Sequence, residues 1–272
     1  MSGTLADELA TVTPLWAQLR VGDRARYLER AAQAVIDEFD EVCLSVASES
    51  QRPLAEIAAL ELLGAVDALR WLADNARRLL GAHRFALPRT LHPLTRASAG
   101  HAPVGVVGIR GALGMPFALP LTTVGAALLA GNGVIVAPAP GASAAAERLV
   151  RVLARAGLPE GLVRVADDSL EGCARLLDLG GDPAGPDAMI VLPDANLAHA
   201  VEGALWAACA GAGQLAGSLK RIYVAESCYA EFLGGALPGG GRARIGRAAR
   251  RAHPARTAGR RGGRCFARGG DR

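Results

Sequence analysis

Four short apolar runs begin at residues 104, 134, 162 and 188, 26 to 30 residues apart, with helix-compatible stretches between them. That interval is the length of a strand, a crossover helix and the return to the next strand. The run from Val104 to Ile109 is continuously apolar, as a strand covered on both faces must be. The spacing therefore predicts an α/β fold with a parallel, doubly wound sheet. Strands are expected at 104–109, 134–136, 162–165 and 188–192, with helices at 117–130, from Ser143 to about 156, and at 170–178. Ser143 stands where an N-cap is needed, and Gly157 with Pro159 stops that helix.

Upstream the period changes to that of helices. Asp23 is placed to cap a helix with Leu28, Ala31, Ala32, Val35, Ile36 and Phe39 on one face. Ser50 followed by Pro53 opens a second helix, whose apolar positions run from Leu54 to Leu79 and end at Gly81, a C′ residue. Residues 82–102 read as a connector or edge excursion. After the sheet, Asp194 is expected to cap a helix over about 196–210, and Arg221 to Val224 forms a further strand.

Composition excludes several classes. Hydrophobic residues make up 51% of the 272, enough for a substantial core. No charged side chain occurs from Gly111 to Ala146, but Pro116, Pro120, Gly131, Pro138 and Pro140 divide that run too finely for a membrane span. Five cysteines without a CxxC pair suit neither a disulfide framework nor a zinc site, and point to reduced thiols in the cytoplasm. The N-terminus lacks the basic and apolar regions of a signal peptide. Lys220 is the only lysine, the signature of GC-rich coding. Residues 234–272 hold 11 Arg and 11 Gly against one acid, Asp271, so the tail carries +10 and the first 233 residues −6. With only Leu237, Ile245 and Phe266 as large apolar residues, the tail is expected to be disordered.

Five separated blocks carry a resemblance. They are PVGVVGI at 103–109, AALLAGNGVIVAP at 126–138, AGLPEGLVRV at 156–165, MIVLPDANLAHAV at 189–201 and GAGQLAGSLKRIYV at 211–224. In order and spacing they resemble the aldehyde dehydrogenase superfamily, nearest to its succinate-semialdehyde dehydrogenase-like members, over residues 14–233. The resemblance implies N-terminal helices of the cofactor domain over 1–102 and an incomplete, Rossmann-like doubly wound sheet over 103–187. The start of a catalytic domain then covers 188–233, and the Arg/Gly tail 234–272. It also implies NAD or NADP as cofactor and an aldehyde as substrate. A cysteine thiolate attacks the aldehyde, an asparagine amide and a backbone N–H hold the oxyanion, hydride passes to the nicotinamide, and a glutamate activates water.

Carried over position by position, this chemistry meets gaps. The nucleophile of the GQxC block falls on Ala216, and a methyl group cannot attack a carbonyl. Cys209 lies upstream on an expected helix as a core thiol, and Ser218 occupies a common family serine position without an evident base. The oxyanion asparagine falls on Gly114 of the segment Ala112–Pro116. The ribose-binding lysine falls on Ala137 and its acidic partner on Pro140. With Arg110, Gly111, Ala112 and Leu113, these are the cofactor-binding positions, and their lost charges weaken cofactor binding. DLGGD at 178–182 echoes the glutamate block through Asp178, Gly180 and Gly181, and the shortened segment before it makes Asp178 a helix-end acid rather than a base. Later blocks and the oligomerisation arm are missing, as in a truncated chain ending in a shifted frame. The resemblance thus predicts an aldehyde dehydrogenase by descent that is impaired or inactive. The alternative is a non-catalytic remnant or scaffold, with a tail that binds nucleic acid weakly. Neither a membrane nor a nucleic acid is the expected partner.

Overall fold

The computed structural model describes residues 4–85, 97–166, 169–180, 187–213, 215 and 217–241. The chain divides into two compact units: residues up to Ser50 with Ile57–Gly180, and Gln51–Glu56 with the residues from Gly181 onward.

The first unit opens with α1 (Leu5–Ala17), α2 (Val21–Asp37) and α3 (Phe39–Ser50). A capping box starts α1: Asp7 N–H donates to the Thr4 hydroxyl, and Asp7 Oδ2 accepts from Thr4 N at 2.8 Å. The expected cap Asp23 lies inside the first turn of α2, where it pairs with Arg26 at 3.2 Å; Arg20 takes the N-cap position with no side-chain bond. Along α2 the stripe Leu28, Ala31, Ala32 and Val35 is buried, whereas Ile36 is exposed and Phe39 begins the next helix. Ser50 ends α3 rather than opening a helix. The long apolar stripe from Leu54 resolves into α4 (Leu54–Ile57), whose residues to Glu56 belong to the second unit, and then in the first unit a π-helical turn Ala58–Leu63 and α5 (Gly64–Leu80), with Gly81 as its C-cap. The excursion at 82–102 contains an antiparallel ribbon of β1 (His83–Phe85) and β2 (Ala97–Ala99).

Next come β3 (Val106–Arg110), α6 (Ala118–Leu129), β4 (Gly133–Ala137), α7 (Ser143–Arg155), β5 (Val163–Val165) and β6 (Arg175–Asp178). All four of these strands are parallel, in the order β5-β4-β3-β6. The helix expected over 170–178 is thus a turn followed by β6, because Leu176 and Leu177 complete the open edge of β3. Both faces are covered, which explains why β4 is buried at every position. Ala6 and Leu9 of α1 pack on Val106 and Ile135. The opposite face, with Val107, Ile109, Val134 and Val136, meets the larger core that includes α2, α5, α6 and α7. Gly133 makes the first of these contacts possible, since a Cβ there would overlap the Thr13 hydroxyl.

Two side chains fasten the helix ends. Arg24 is buried and donates to Leu129, Ala17 and Leu19 carbonyls at 2.9, 3.0 and 2.8 Å, satisfying the last turns of α6 and α1. Trp16 Nε1 donates to Leu128 O at 2.8 Å. The expected cap Ser143 makes no capping bond. Glu49 of α3 supplies it instead, accepting from Ala144 N at 2.7 Å and Ala145 N at 3.0 Å.

In the second unit β7 (Ala188–Val191) pairs in parallel with β8 (Arg221–Val224), so the strand at 188 belongs to a separate two-stranded sheet and not to the four-stranded one. Between them lie α8 (Leu197–Cys209) and a 3₁₀ turn Ala210–Gly213. Asn196, not Asp194, caps α8 by accepting from His199 N. The helix α9 (Glu226–Gly241) runs past residue 233, where the tail was expected to start. Phe232 and Cys228 pack with Val191 and Ala204, and a Cβ on Gly235 would approach Val201 at 3.2 Å, so the glycine lets α9 stay close to α8. The tail beyond Gly241 lies outside the described residues. No helix among the described residues is long and apolar enough to cross a membrane.

Candidate functional site

Ligands of open α/β sheets meet the carboxyl ends of the strands where the strand order reverses. Here the chain winds from β3 to β4 to β5, then returns to the other side of β3 as β6, so the reversal lies between β3 and β6. The last rung of the sheet is Ala137 of β4, Arg110 of β3 and Asp178 of β6, paired in register and therefore facing the same side. Ala137 is 1% exposed. Arg110 and Asp178 are both more than half exposed, with Arg110 Nη1 at 3.8 Å from Asp178 Oδ2. Asp178 is thus a strand-end acid rather than a helix-end one. Its Oδ1 accepts from Gly180 N at 2.9 Å.

The sheet brings the expected cofactor positions together. Gly111 follows Arg110 and donates to Ala137 O at 2.8 Å. It has room only for hydrogen, since a Cβ would meet Ala139 N at 3.2 Å. Ala112 is buried, Leu113 is 61% exposed at the rim, and Gly114 is half-buried without a side-chain donor. Pro140 is exposed in the turn before α7. Sequence reasoning missed what holds this edge. Glu61 is fully buried, and its Oε2 accepts from Phe117 N at 3.1 Å and Ala118 N at 2.9 Å, at the start of α6. Its signal was a carboxylate inside the apolar stripe of 54–79. Asn132 Oδ1 likewise accepts from Val104 N and Gly105 N, at 2.7 and 3.1 Å, fixing the entry to β3.

A nicotinamide dinucleotide brings phosphates, which helix N-termini commonly receive. On this edge the N-termini of α6 and α7 already hold the carboxylates of Glu61 and Glu49. Those helix ends therefore offer no free amide at Phe117, Ala118, Ala144 or Ala145, and Arg110 and Asp178 are the exposed charged side chains of the last rung.

The second unit holds the region assigned to the nucleophile. Gln214 and Ala216 lie outside the described residues. Around them, Gly211 and Gly213 adopt positive φ of 61° and 74°, and Lys220 Nζ donates to Gly213 O at 3.0 Å. Glu56 accepts from Gly211 N. Ser218 is 1% exposed, and among the described residues its hydroxyl meets no hydrogen-bond partner and thus no base. Cys209 is exposed at the end of α8, a correction to its reading as a core thiol, because Ala204 is the buried position of that helix. Cys228 is buried, with its thiol 3.4 Å from Ala225 O. In the first unit burial pushes the thiols of Cys43 and Cys173 up, and Asp40 adds to the effect at Cys43, so both stay protonated near neutrality. A cleft of about 500 Å³, lined by Asp187, Met189, Ala207, Gly217 and Leu219, opens beside this loop. No cluster of three metal-ligating side chains occurs among the described residues.

A sequence model of the aldehyde dehydrogenase family matches residues 6–177 and 171–252, thus past residue 233. A 4,4'-diapolycopene aldehyde oxidase from Methylomonas sp is 29% identical over 261 residues, covering 85% of this chain and 49% of the relative. Succinate-semialdehyde dehydrogenase from Burkholderia pseudomallei superposes with a TM-score of 0.80 at 24% identity, covering 89% of this chain and 56% of that one. PnpE from Pseudomonas sp. WBC-3, solved with nicotinamide adenine dinucleotide, superposes at 0.78 and 19% identity, covering 89% and 55%. The chain spans about half the length of the curated relatives it matches. By the family match and the shared fold, the chain belongs to the aldehyde dehydrogenase family.

Proposed function

We propose that this chain is a non-oxidising member of the family, one that binds NAD or NADP at the carboxyl edge of its four-stranded sheet and does not convert aldehydes to acids. The observation that carries the reading is Ala216 at the position of the nucleophile in the GQxC-like block Gly213–Ala216. In enzymes of covalent mechanism, loss of the nucleophile alone costs on the order of 10⁶ in turnover. Gly114 removes the side-chain half of the oxyanion site, a further factor of about 10² to 10³. Bound NAD(P) supplies a hydride acceptor, so retained binding without the thiol gives recognition without turnover. The fold shared with PnpE, a protein solved with its dinucleotide, supports the binding half of this reading. Cysteines that form no CxxC pair suit a reducing cytoplasm.

Absorbance at 340 nm in the presence of aliphatic aldehydes and semialdehydes, with either dinucleotide, is the test. The wild-type chain is expected to give no aldehyde-dependent signal, while calorimetry detects dinucleotide binding. Turnover that disappears in Cys209→Ser or Ser218→Ala would overturn the reading, since a second nucleophile would then stand in for residue 216.

A further inference from the structure

We draw no further inference here: the strongest candidate, the exposed apolar face that Ile190, Leu192 and Tyr223 form on the β7–β8 sheet of the second unit, carries none because nothing in the structure shows what covers it.

Discussion

The start of α7 separates two accounts of how this sequence folds. Local pattern gives the cap to Ser143, whereas the structure gives it to Glu49, a residue 95 positions away from Ala144. Each carboxylate oxygen of Glu49 takes one backbone N–H, at 2.7 and 3.0 Å. Bonds to a charged group contribute about 1.5–3 kcal/mol each when dry, and less here because Glu49 is only part-buried and water can replace it. Glu49→Ala should therefore cost about 2–3 kcal/mol, which for a chain of this size lowers Tm by roughly 4–10 °C. Glu49→Gln, with an amide group facing one of the two N–H donors, should lose about half of that. Ser143→Ala should stay within about 0.5 kcal/mol, as for other exposed positions without a specific contact. Urea unfolding followed by the fluorescence of Trp16, the buried tryptophan, reads this unit, because Trp71 and Trp206 are exposed. A Ser143→Ala loss of about 1 kcal/mol together with a neutral Glu49→Ala would refute the long-range cap.

Arg24→Met should destabilise the first unit by about 3 kcal/mol or more, because three backbone acceptors lose their donor. Burial lowers the Arg24 pKa, yet the guanidinium stays charged at any pH the fold withstands, so this contribution should not vary between pH 5 and pH 9 in urea titrations. Asp7 behaves otherwise. Its bond from Thr4 N, then that from the Thr4 hydroxyl, holds its carboxyl below the usual value. A folded pKa below the unfolded one stabilises above about pH 4, and the effect is lost as pH falls through the folded value. Amide exchange in the first turn of α1 should accelerate, beyond its intrinsic pH dependence, as the solution is acidified through that range. Asp7→Asn should remove the acceleration.

Much of the four-stranded sheet is legible from residue pattern. The continuous runs at 106–109 and 134–136 are strands because both faces are covered, and the apolar stripe of α2 marks its buried side. What escapes a local reading is any feature made by distant partners. β6 reads as helix because RLLD has no strong β pattern, and pairing with β3 overrides its propensity. The strand at 188 has the right spacing for the main sheet, yet β8 supplies its neighbour instead. Asp23, Ser143 and Asp194 are all good capping residues standing near real helix starts. The caps fall elsewhere because a helix start shifted by one to three residues moves the side chain out of reach. For the candidate site, the pairing of β3 with β4 sets Arg110 beside Ala137 and Gly111 N on Ala137 O, two neighbours that the residue pattern alone does not join. Glu61 could not be placed there, because nothing local links residue 61 to residues 117 and 118. Asp178 was misplaced for the same reason that β6 was.

Residue 216 carries no sulfur atom, and a covalent mechanism leaves a stoichiometric trace. Rapid mixing of the full chain with dinucleotide and a reactive aldehyde, followed at 340 nm over the first turnover, measures the reactive groups directly. With alanine at residue 216, no burst of reduced nicotinamide is expected. A burst approaching one equivalent per chain would show that another group of this chain serves as the nucleophile.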